Sequence, residues 1–97
     1  MTKEEALSLV LQLLRDFLER SEVESIPRIT STTRPIGDLG LESKDGVEWI
    51  CDLEDSLGIE VAGDENPFLD QGRTRPNTVE QIANWVVMVS GKGTSNG

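Results

Sequence analysis

Histidine is absent from this 97-residue chain, and cysteine occurs once. The first absence removes the commonest general base and the commonest metal ligand. Together they leave almost no imidazole or thiolate from which to build a metal site. A single cysteine also excludes an internal disulfide and predicts a reducing compartment, the cytoplasm. No apolar run approaches the ~18 residues that a membrane span needs. Met1 leads straight into a polar helix start, not the basic stretch and apolar core of a signal peptide. Basic side chains are scarce, 9 Lys and Arg against 18 Asp and Glu, for a net charge of −9. That sign argues against nucleic acid, whose phosphates attract the opposite charge, and against anionic membrane surfaces.

Carboxylates are plentiful, so calcium needs a spacing check. A loop starting at Asp52 would need glycine at 57 and glutamate at 63, where the chain has Leu57 and Gly63. One starting at Asp64 would need glycine at 69 and meets Leu69. Neither has the turn chemistry of a calcium loop.

The remaining pattern is helical. Ninety-seven residues make one domain that buries roughly 60–65% of its unfolded surface. Thr2 and Glu5 form a capping box ahead of a stripe of Leu7, Val10, Leu11, Leu14, Phe17 and Leu18, which predicts a first amphipathic helix. Residues 22–41 carry Pro27, Pro35, Gly37 and Gly40, with Ile26, Ile29, Ile36 and Leu39 spaced between them. This reads as a long loop pinned to the core. Trp49, Ile50, Leu53 and Leu57 give the buried stripe of a second helix from about Ser43 to Leu57, which Gly58 stops. Asn66 before Pro67 predicts a short third helix through about Gln71. Thr78 and Gln81 form another capping box, opening a last helix with Val79, Ile82, Ala83, Val86 and Val89 inside and Gly91 as its end. The expected fold is all-α, a small four-helix bundle over residues 1–90 with a flexible tail over 91–97. Trp49 and Trp85 are expected in the core.

Charge is concentrated in one place. Asp38 to Glu65 holds ten acids and one lysine, a local charge of −9, and the rest of the chain is balanced. Within it, Asp38-Leu39-Gly40 forms a glycine-containing turn that delivers Ser43 to a helix start. A serine ahead of a helix is ordinarily a cap. Here it also sits where backbone N–H groups favour a phosphate, beside a field of one sign that would steer basic partners.

The stretch Asp38-Leu39-Gly40-Leu41-Glu42-Ser43-Lys44, followed by Asp45, Val47, Glu48, Leu53, Glu54, Asp55 and Ile59, resembles the prosthetic-group site of the acyl carrier protein family. Thr78-Val79-Glu80-Gln81-Ile82 is similar to that family's last helix, so the resemblance covers about residues 3–90. It implies a non-enzymatic, monomeric carrier in fatty-acid or polyketide-type biosynthesis. Such a carrier holds acyl groups as thioesters on a 4'-phosphopantetheine arm joined to Ser43. It implies a phosphopantetheinyl transferase that supplies the arm from coenzyme A. It also implies loading, condensing and modifying enzymes whose basic patches dock on Glu42, Lys44, Asp45, Val47, Glu48, Cys51, Asp52 and Asp55. Cys51 is expected as a half-buried apolar residue, not a nucleophile. An aminoacyl or peptidyl carrier is the neighbouring alternative, and an acidic helical adaptor without the arm is another. The chain departs from the family at Lys44, where a hydrophobic residue is usual, and in a longer 63–77 segment carrying Arg73 and Arg75. Both departures point to a dedicated pathway carrier.

Overall fold

The computed structural model describes residues 1–22, 24–61, 65–70, 72 and 74–94. Among the described residues four helices follow one another: α1 (Lys3–Arg20), α2 (Pro35–Asp38), α3 (Ser43–Leu57) and α4 (Val79–Thr94). No strand occurs among the described residues; two isolated bridges, Ile36 with Leu41 and Leu69 with Pro76, close tight loops. The architecture is the expected small all-α bundle.

Local chemistry explains where the long helices begin and end. Thr2 Oγ1 accepts the Glu5 N–H at 3.1 Å while the Glu5 carboxylate accepts the Thr2 N–H at 2.8 Å, so α1 opens on a reciprocal cap. The same exchange links Thr78 and Gln81 ahead of α4. The orphan amides of Val79 and Glu80 donate to the carbonyls of Thr33 and Ser31, which ties the first connection to the start of α4. At the far end of α3, Gly58 takes the left-handed conformation, φ +66°, and its N–H donates to the Glu54 carbonyl.

One core joins the three long helices. Ala6, Val10, Leu14 and Leu18 of α1, Trp49 and Leu53 of α3, and Val79, Ile82, Ala83 and Val86 of α4 are fully buried. Ile29 from the first connection and Phe68 from the second complete it. Phe68 packs on Trp49 with ring centroids 5.6 Å apart. Trp85 is only half-buried; its indole N–H reaches the Glu65 carboxylate at 3.4 Å.

The long helices begin at a common pole. Lys3, at the start of α1, pairs with Glu80, at the start of α4, at 3.2 Å. Asn66 donates to the carbonyl of Ser43, the first residue of α3, at 2.8 Å. Asn77, two residues before α4, donates through its side chain to the carbonyls of Pro67 and Leu69. Both connections therefore run back along the bundle.

Three local expectations differ from the structure. Residues 66–70 form a turn, not a short third helix: Asn66 Oδ1 accepts the Phe68 N–H at 3.1 Å as a helix cap would, but the carbonyls of Pro67, Phe68 and Leu69, which should accept the next helical amides, are taken by Asn77 through its side chain and its N–H. Gln71, its expected last residue, lies outside the described residues. The one short helix is instead α2, a single distorted turn earlier in the chain, with Gly37 at φ +102°. Finally, α4 continues past Gly91 to Thr94. An internal glycine costs a helix only about 1 kcal/mol, too little to stop it without a left-handed cap. The remainder of the expected tail, 95–97, is outside the described residues.

Candidate functional site

The turn that delivers Ser43 is assembled from all three residues of its Asp-Leu-Gly sequence. Asp38 closes it: its carboxylate accepts the Arg34 N–H at 2.8 Å, and its own N–H donates to the Arg34 carbonyl at 3.0 Å. Leu39 is half-buried against the core and anchors the turn there. Gly40 adopts φ +74°, a conformation that an L side chain resists. Leu41 then bridges back to Ile36 and donates to the Pro35 carbonyl at 3.2 Å.

Glu42 follows as the extended N-cap of α3. Asp45 accepts the Glu42 N–H at 2.7 Å, an acid in the first turn as the helix dipole favours. Ser43 is the first helical residue and is exposed. Its hydroxyl thus stands at a pre-shaped helix N-terminus with no neighbouring base or cation in hydrogen-bonding geometry among the described residues.

No family model matches the chain, and no solved structure matches it.

The other expected site residues fall on α3 but are not equivalent. Glu42 and Lys44 pair across Ser43 at 3.4 Å, both well exposed, so the two charges beside the serine largely offset each other. Glu48 and Asp55 are exposed and take part in no ion pair among the described residues. Asp52 is different. Arg20 of α1 grips both of its oxygens, with Nη1 to Oδ1 at 3.2 Å and a closer contact from Nη2 to Oδ2. Hydrogen bonding to Asp52 pushes the Arg20 pKa still higher, and the guanidinium also lies over the Phe17 ring at 5.7 Å. Asp52 is thus a brace between α1 and α3 more than a free acid. Asp45 is likewise engaged in capping.

Val47 is 51% exposed, the largest apolar side chain open on this face. Cys51 is exposed, contrary to the expected half-buried position. It lies one turn beyond Val47, outside the Trp49–Ile50–Leu53 stripe. Its thiol borders an open groove of about 410 Å³ lined by Phe17, Arg20, Ser21, Glu48 and Asp52.

Two residues that shape the site escaped the sequence reading. Asn66 clasps the Ser43 backbone, as described above. Gly46 makes room for it: a Cβ there would stand 3.0 Å from Asn66 Cγ and 3.1 Å from Phe68 Cγ. The available signal was Gly46 itself, since a glycine inside a helix marks a close approach by something else.

Proposed function

We propose that this protein is an acyl carrier: a helical bundle that bears 4'-phosphopantetheine on Ser43 and passes acyl intermediates between enzymes as thioesters. The observation that supports it best is the exposed Ser43 hydroxyl at the first residue of α3, behind a turn built by Asp38, Leu39 and Gly40. A phosphodiester there would lie near the positive end of the α3 dipole, which stabilises negative charge. The protein contributes no acid or base to the chemistry. The arm, when attached, supplies the thiol; the chain's own residues present the hydroxyl and hold the helix start rigid.

Partners would be a phosphopantetheinyl transferase and enzymes with basic surfaces, drawn by the free acids Glu48 and Asp55 and by the segment's excess negative charge. The exposed Val47 and Cys51 offer the apolar part of such a contact. Lys44, held by Glu42, restricts the choice, because a partner must accommodate an ammonium beside the attachment point.

The test is intact mass after incubation with coenzyme A, magnesium and a broad-specificity transferase. The wild type is expected to gain one phosphopantetheine and Ser43→Ala to remain folded and gain none. A mass increase in Ser43→Ala, or a wild type refractory to every transferase tried, removes the reading.

A further inference from the structure

Asn66 lies on a different element from Ser43 and 23 positions away, yet it is the one side chain outside α3 that bonds to the Ser43 backbone among the described residues. Its amide is divided between two tasks. Nδ2 donates to the Ser43 carbonyl at 2.8 Å, and Oδ1 accepts the Phe68 N–H at 3.1 Å. The second bond folds the 66–68 turn on itself; the first fastens that turn to the start of α3. Gly46 is buried beneath the same amide, in space that any side chain would take from it. Phe68, fully buried on Trp49, fixes the turn from the other side. Three features thus converge on one amide: a bond to the site, a bond to its own loop, and a missing Cβ.

We infer that Asn66 is a positioning residue for Ser43. By holding the Ser43 carbonyl it keeps the first turn of α3 in helical geometry, so that the hydroxyl leaves the surface in one direction. The first residues of a helix otherwise fray, since their amides lack intrahelical partners. Capping by Asp45 restrains Glu42, on the near side of the serine. Asn66 restrains the serine itself. The inference rests on the carrier reading of Ser43 and adds to it a residue that sets the modification rate without touching the arm.

Asn66→Asp separates the two tasks. It keeps the acceptor for Phe68 and loses the donor to Ser43. Asn66→Ala loses both. With the full-length protein, coenzyme A and a transferase, kcat for phosphopantetheinylation is expected to fall about fivefold in both variants, the fold-change that one hydrogen bond is worth. The added negative charge of Asp acts on encounter and so on KM, which makes kcat the informative quantity. Melting temperature should drop in both variants and further in Asn66→Ala, which also loses the bond to Phe68. Hydrogen exchange at the Val47 amide, whose helical acceptor is the Ser43 carbonyl, should accelerate in both. A wild-type kcat and unchanged Val47 exchange in Asn66→Asp overturn the positioning role while leaving the carrier reading intact. A loss of kcat that merely follows the melting temperature across the two variants overturns it too. A wild type that accepts no phosphopantetheine removes the carrier reading, and this inference with it.

Discussion

Replacing Gly46 by alanine sets two effects against each other, and the structure decides between them. In an exposed helix the change would stabilise by about 1 kcal/mol, because alanine is the better helix former. At position 46 the new methyl carbon would lie 3.0 Å from Asn66 Cγ and 3.1 Å from Phe68 Cγ, tighter than ordinary packing. Overpacking of a buried site costs about 1–3 kcal/mol. The Asn66 side chain can escape only by abandoning its bonds to Ser43 and Phe68, each worth roughly 0.5–1.5 kcal/mol. Phe68 cannot retreat, since it is fully buried against Trp49. Either loss matches or exceeds the gain, and Gly46→Ala should destabilise by up to about 2 kcal/mol. For a chain of this size each kcal/mol lowers Tm by about 4–8 °C. Urea titration followed by far-ultraviolet circular dichroism measures the change, with the denaturant slope checked for constancy. The double variant Gly46→Ala with Asn66→Ala should lose less than the sum of the singles, because the second change removes the side chain that the first displaces. A more stable Gly46→Ala, or strict additivity, would refute the close approach of the turn to α3.

Other outcomes are equally specific. Glu48→Lys with Asp55→Lys should slow association with a basic partner enzyme and flatten its dependence on salt, whereas Asp52→Asn should act mainly on stability, since Asp52 is held by Arg20; stopped-flow binding at two ionic strengths separates them. Lys44→Leu frees Glu42 and presents an apolar side chain beside Ser43; transfer assays should show partners from general fatty-acid synthesis improving and dedicated partners weakening, and equal rates throughout would mean that Lys44 carries no specificity. Backbone N–H donation from Thr74, then from Arg75, holds the Asp70 carboxyl below the usual carboxylate range. A group with a depressed folded pKa stabilises at pH above its unfolded value and loses that contribution as pH falls through the folded one. Acid unfolding followed by circular dichroism should therefore become less steep below the ordinary carboxylate range in Asp70→Asn, and an unchanged profile would show that the turn contributes nothing.

The parts of the fold that the sequence announced are those governed by neighbours along the chain. Thr2 with Glu5, Thr78 with Gln81, and Gly58 after Leu57 each act within a few residues, and each does in the structure what its spacing predicts. The apolar stripes also read correctly, from Val10, Leu14 and Leu18 to Ile82 and Val86. What escaped depends on contacts between distant segments. Asn66 before Pro67 has the local signature of a helix start, but the carbonyls of Pro67, Phe68 and Leu69 that would carry the helix on are claimed by Asn77 from beyond the turn, and a turn results. Asp52 looks like one more acid on a solvated face, and only the end of α1 reveals its partner. Cys51 sits at the margin of the stripe, and only the packed helices reveal that it is exposed. The turn ahead of Ser43 was legible because Asp38, Leu39 and Gly40 act on their own surroundings; the clasp behind it was not.

Because α1 and α4 start at the same pole, the first residue of α1 and the last of α4 stand at opposite ones. Met1 lies two residues before Lys3, which touches Glu80, while the 16 residues of α4 carry the chain about 24 Å away by Thr94. A tether fused at the amino end would emerge on the side where α3 begins, near Ser43 and in competition with anything that approaches it. One fused at the carboxyl end would emerge from the far side and leave that approach open. Tension applied between the ends would load the α1–α4 contacts in shear along their whole length, not peel them apart one at a time. Rejoining the ends to make a circular permutant would require a linker able to run the length of the molecule.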